Sequence, residues 1–312
     1  MADLSIFGVK SKARQPGKPR FGRSLTLPEP ALTKQISMIY PDEYPTIFSM
    51  NSANQETRER LPTLQGKVVW ITGAGSGIGR AMAIGFAAAG AKVALTGRRL
   101  DALTETASQI GETALVVPAD VSDADQVANA YETVSKTLGN IDVLVNNAGR
   151  NSSVRHWQQL TVAEMSSMLE VNLKTAFLCS MVVLPAMRAK QAGTLIHVGS
   201  MAATMVFPTA GASYAAAKAG VRQMSAHINA EEGIHGIRSI CIHPGEVATD
   251  ILAARPNPPT QAERAVMLQV QDIASVAVFA AGLPARVTIS DIVVVPTDNA
   301  AWRSYARGIA NA

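Results

Sequence analysis

Lys-Val-Val-Trp-Ile-Thr-Gly-Ala-Gly-Ser-Gly-Ile-Gly, residues 67–79, is the stretch that decides the fold of this chain. Its first six residues form a short apolar run bounded by Gly66 and Gly73, the pattern of a strand buried on both faces of a parallel sheet. The next seven hold Gly73, Gly75, Gly77 and Gly79, with Ser76 and Ile78 among them, and flow into a helical stretch from Arg80 to Ala89. Glycines at such a turn let the chain fold back tightly and let a pyrophosphate approach the backbone. The helix N-terminus adds unpaired N–H groups and a partial positive charge. A glycine-rich turn alone is modest evidence, but one set between a strand and a helix points to a bound dinucleotide.

Working outward, the next strand, 91–96, ends in Gly97-Arg98-Arg99. Gly97 lies 18 residues after Gly79, about where an acidic residue would grip a ribose 2′-hydroxyl. Arg98 and Arg99 stand there instead, and guanidinium groups suit a 2′-phosphate in charge and in fork geometry. NADP(H) is therefore expected in preference to NAD(H), against the plainer reading of two solvated arginines at a strand end. Alternation continues with a helix over 101–110, a strand over 113–117, a helix over 123–138 and a strand over 141–146. Asp120-Val121 falls where an adenine edge could be bonded, and Asn146-Asn147-Ala148-Gly149 closes the following strand. Such repetition predicts an α/β fold, a doubly wound Rossmann-type parallel sheet of about seven strands with ligands beyond the strand C-termini.

The second half carries the chemistry. A long helix over 161–190 holds Asn172, a costly residue in mid-helix, whose amide should bond within the protein. A strand over 194–199 stops at Ser200, and a helix over 212–233 bears Tyr-Ala-Ala-Ala-Lys, 214–218. Four apart on a helix, Tyr214 and Lys218 project from one face. A phenol, with an ordinary pKa of about 10, is a poor proton donor or acceptor at neutral pH, and a fixed ammonium nearby favours its ionised form. The same spacing also fits an aromatic ring on the core with a lysine at the rim. The strand over 237–242 then ends in His243-Pro244-Gly245-Glu246.

The remainder of the chain sets limits. Its 312 residues are 47% hydrophobic and 17% charged, suiting one large α/β domain or two small ones, and the run of motifs favours a single domain from residue 66 to 312. Residues 1–65 hold seven of the 16 prolines, and six basic residues with no acidic one lie between Lys10 and Arg23. That segment is expected to be an extension, largely disordered and dispensable for folding. The body is close to neutral, giving no support for a nucleic-acid partner. Cys179 and Cys241 lack metal or disulfide spacing, no apolar run reaches membrane-spanning length, and a cytoplasmic location is expected.

Together these residues resemble the short-chain dehydrogenase/reductase superfamily over roughly 66–297. The resemblance implies an oxidoreductase moving a hydride between NADP(H) and a carbonyl or secondary alcohol. Asn172, Ser200, Tyr214 and Lys218 match its catalytic tetrad in order. By that likeness Tyr214 exchanges the proton, Ser200 steadies the substrate oxygen, Lys218 holds the nicotinamide ribose and lowers the Tyr214 pKa, and Asn172 keeps a proton-relaying water. Gly73, Gly75, Ser76, Gly77, Ile78 and Gly79 would form the cofactor loop. Asn147, Ala148 and Gly149 would stabilise the sheet beside it, and Pro244, Gly245 and Val247 would meet the nicotinamide. A substrate lid is implied at about 247–264, as is a homodimer or homotetramer. Two alternatives stand beside this reading: an NADP-binding sensor without turnover, and a lyase or epimerase that uses the cofactor transiently. A serine hydrolase is excluded by the absence of a GxSxG elbow around Ser200.

Overall fold

The computed structural model describes residues 64–249, 252 and 258–299. The extension before residue 64, and its expected disorder, lie outside them. Seven parallel strands, β1 (Val68–Thr72), β2 (Lys92–Gly97), β3 (Ala114–Pro118), β4 (Val143–Asn146), β5 (Gly193–Val198), β6 (Ile237–Pro244) and β7 (Asp291–Val294), form one sheet in the order β3-β2-β1-β4-β5-β6-β7. Strand β1 pairs with both β2 and β4, so the chain reverses direction across the sheet there and opens a crevice beyond the strand ends.

Side-chain alternation separates the two layers. Val69 and Ile71 of β1 face α1 (Gly77–Ala88) and α8 (Val270–Ala281), where Met82, Phe86, Ile273 and Ala277 pack with Leu103 of α2 (Leu100–Ile110). Val68 and Trp70 face the opposite layer, built from α3 (Ala124–Leu138), α5 (Thr175–Lys190) and α6 (Ala212–Glu232) through Val134, Cys179, Val183 and Val221. The Trp70 indole N–H is satisfied by the Thr96 hydroxyl, 2.8 Å away, so this large ring is buried without an orphan donor.

The expected long helix is present with a change of pitch. Helix α4 (Val162–Leu169) passes through a π turn, Glu170–Lys174, into α5. Together, Val162–Lys190 is long and apolar enough by length and composition to cross a membrane, which corrects the expectation that no run reaches that length. It lies instead against the sheet, burying Ala176, Cys179, Val183 and Met187.

Candidate active site

The strand ends open into a trough. A cavity of about 350 Å³ runs from the Gly73–Ile78 turn to Pro244, Gly245 and Val247. A second, of about 270 Å³, continues past Gly97 to Asp120 and Val121. The two share Gly73, Arg98, Ala148 and Gly149. Ser76 caps α1 in extended geometry, leaving the first N–H groups of α1 without an intrahelical partner at the mouth of the trough. Gly77 has φ +53°, and Gly73 has φ +65° with Asn147 and Ala148 too close to admit a Cβ. Gly75 and Gly79 lie behind the trough. A Cβ on Gly79 would sit 2.2 Å from the Gly73 carbonyl oxygen, and one on Gly75 would press on Ala102. These two glycines serve close packing, and the cradle itself fits a pyrophosphate.

Sequence reasoning overlooked the hub that holds the turn. The Thr72 hydroxyl accepts the backbone N–H groups of Asn147 and Ala148 at 3.0 and 3.1 Å, and donates to the Val145 carbonyl. The Asn147 amide donates to the carbonyls of Thr72 and Gly73. A buried hydroxyl closing a strand beside a glycine turn was the available signal. At the end of β2, Arg98 and Arg99 are exposed and line the trough, and the Arg99 guanidinium reaches the Ser76 hydroxyl at 3.5 Å. Asp120 is held below the usual carboxylate range by bonds from the Ser122 N–H and hydroxyl.

The tetrad residues converge. Tyr214 lines the trough, half-buried as a residue but with its phenol oxygen deep. Burial pushes its pKa up, opposed by a hydrogen bond with Ser200 and the positive charge of Arg155. Lys218 is 5% exposed; burial brings its pKa down to about 8, and its ammonium donates to the Val198 carbonyl at 2.8 Å. Its nitrogen lies over the Tyr214 ring, 5.8 Å from the ring centre. Here the downward pull on the phenol comes from Ser200 and Arg155.

Asn172 sits in the π turn, where its amide donates to the carbonyls of Arg150 and Met168 at 2.9 and 3.1 Å, and its oxygen accepts the Arg150 N–H. Gly149 is pressed between this side chain and Lys218. The helix has opened to admit a polar clasp on the loop after β4, a common setting for a π turn.

A cavity of about 640 Å³ lies on the other side of α6, lined by Arg155, His156, Trp157, Met205, Val206 and Phe207 among others. The Arg155 guanidinium donates to the carbonyls of Ser152 and Thr209, which fixes its direction. Arg150 turns away to Ser167 and Glu164 on α4. His197 is buried, bonded to Asn146 and Ser239, with its pKa pushed down to about 3 by burial. Within the span 247–264 where a lid was expected, Val247 bridges to Leu268 and Thr260 caps α7 (Gln261–Ala265). Residues 250, 251 and 253–257 lie outside the described residues. Cys241, His243 and Asp291 bring three ligand-type atoms within 4.8 Å of one another, but Arg222 and Lys218 add positive charge there that disfavours a metal cation.

Residues 67–259 match the sequence profile of the short chain dehydrogenases. The chain belongs to that family. Consistent with membership, it is 34% identical over 239 residues to an uncharacterized oxidoreductase of Staphylococcus aureus strain N315, covering 76% of this chain and all of the relative. Among solved structures, a serine dehydrogenase complexed with NADP+ superposes with a TM-score of 0.70 at 28% identity, over 75% of this chain and 96% of the other. A 3-ketoacyl-(acyl-carrier-protein) reductase from Brucella melitensis, complexed with NADH, gives 0.70 at 29% identity, over 75% and 98%. This short chain dehydrogenase is thus an oxidoreductase of the nicotinamide-using kind.

Proposed function

We propose that this short chain dehydrogenase couples NADP(H) to a carbonyl/secondary alcohol pair, with Tyr214 as the group that exchanges the proton. The observation that carries the reading is the trough that Asn172, Tyr214 and Lys218 line together beside the glycine turn. A bound nicotinamide supplies or accepts the hydride. Ser200 and Tyr214 together bind the substrate oxygen, and the Tyr214 phenol gives or takes its proton. Lys218 stands in the trough as a donor for a ribose hydroxyl. Asn172 holds the Gly149–Arg150 loop in shape from behind.

Preference for NADP(H) is supported by Arg98 and Arg99 at the end of β2. The solved neighbours are named for serine and for a 3-ketoacyl chain, which share a hydroxyl or ketone oxygen that this pair could grip. Exposed Val162, Met165, Phe177 and Met181 along α4 and α5 support association into a homodimer or homotetramer. The test is a panel of aldehydes, ketones and secondary alcohols assayed with NADPH, NADH and their oxidised forms. Net, substrate-dependent NADPH turnover is expected. Binding of NADPH without turnover of any panel member, or conversion without net cofactor consumption, would overturn the proposal in favour of a sensor or of a lyase or epimerase.

A further inference from the structure

His243 ends β6 with its side chain wholly buried, on the face of the sheet that α6 covers. Its ring lies against Gly199, where a Cβ would come within 2.6 Å of Nδ1. Nε2 is 2.6 Å from an oxygen of Asp291, and Nδ1 is 3.2 Å from the backbone carbonyl oxygen of Ser200. Strand pairing makes this possible: Cys241 is opposite Asp291 in the register, so Asp291 and His243 point to the same side.

Both neighbours of the ring are acceptors. A carbonyl oxygen can only accept. Burial raises the Asp291 pKa, but hydrogen bonds from His243 and Arg222 outweigh it and hold the group below the usual range, as a carboxylate. We propose that His243 is a positioning residue, braced by Asp291, that holds the Ser200 carbonyl and thereby places the Ser200 hydroxyl beside Tyr214. This rests on the reading of Ser200 and Tyr214 given above.

The surrounding charges leave Asp291 as the anion facing the ring among the described residues. From α6, Arg222 pairs with the same carboxylate at 3.1 Å, and Lys218 is turned to the Val198 carbonyl. On β6, the Cys241 thiol is pushed up to about 12 by burial and stays neutral. On β5, His197 is pushed down to about 3 and is neutral as well.

The test is Asp291→Asn, a same-shape change at an edge strand, assayed with NADPH and a panel carbonyl that the wild type reduces. Turnover is expected to fall about tenfold, as for loss of one charge-assisted hydrogen bond. KM and NADPH affinity stay unchanged. His243→Gln, which keeps an amide donor for the Ser200 carbonyl, is expected to retain more turnover than His243→Ala. Wild-type kcat in Asp291→Asn would overturn the proposal, as would a lower thermal midpoint with unaltered kinetics or a joint loss of stability and cofactor binding. Ser200→Ala separates the two readings. If it leaves turnover intact, the role of Ser200 fails; if it abolishes turnover while Asp291→Asn behaves as wild type, only the clamp fails.

Discussion

Replacing Lys218 by Met should destroy activity while stabilising the fold. The ammonium is 5% exposed, and burial lowers its pKa from an ordinary 10.5 to about 8. A drop of about 2.5 in pKa means that keeping this group charged at pH 7 costs roughly 3 kcal/mol of folding free energy. A methionine of similar length avoids that cost but leaves the Val198 carbonyl without its donor, a loss of about 1 kcal/mol. The net gain is about 2 kcal/mol, which at about 2–4 °C per kcal/mol raises the midpoint by several degrees. The sign follows from proton counts. Between pH 8 and 10.5 the unfolded chain holds this proton and the folded one has lost it, so wild-type stability rises with pH there relative to the mutant. Thermal or urea unfolding of both proteins without added cofactor, from pH 7 to 10, should show a gap that narrows as pH climbs. A mutant less stable than wild type at pH 7, or a gap independent of pH, would refute the reasoning.

Three further outcomes are expected. Tyr214→Phe should lower turnover by about 10²–10⁴-fold with NADPH binding, followed by fluorescence, near wild type; retention of a third or more of the turnover would remove Tyr214 from the chemistry. Arg98→Ala and Arg99→Ala should weaken NADP(H) binding by about one to two decades and leave NAD(H) nearly unchanged, and equal losses in titrations of both cofactors would make the arginines structural. Light scattering should return a dimer or tetramer at micromolar concentration; a species near the 32.8 kDa of one chain would count against association through the α4–α5 face.

The sheet was legible because its signals are local. Apolar runs of strand length, glycine at the first turn and alternation with helical stretches depend on neighbours in sequence, and the strands at β1, β2 and β5 fall within a residue or so of expectation. The convergence of Asn172, Ser200, Tyr214 and Lys218 was legible through the family likeness, since no spacing along the chain brings them together. What escaped were effects of three-dimensional packing. Nothing in the pattern around Asn172 announces a π turn, because the clasp that stabilises it comes from Gly149 and Arg150, more than twenty residues upstream. The source of the electrostatic pull on Tyr214 depends on where the Arg155 guanidinium is aimed, which two distant carbonyls decide. The pairing of His243 with Asp291 spans 48 residues and exists only through the register of β6 and β7.

The π turn also changes what a deletion would do to this protein. In a regular helix, removing one residue swings everything downstream by about 100°, which here would lift Cys179, Val183 and Met187 off the sheet. Glu170–Lys174 already carries one residue more than an α-helical turn would, with the Thr175 N–H reaching back to the Glu170 carbonyl. Dropping one residue there lets the ladder close as an ordinary α-helix, and the flanking segments keep their phase. The fold would absorb the lesion, while the asparagine that clasps the loop after β4 would be lost or turned elsewhere. A spare residue kept in mid-helix thus separates the requirements of the scaffold from those of the site, so that a length change can silence one without disturbing the other.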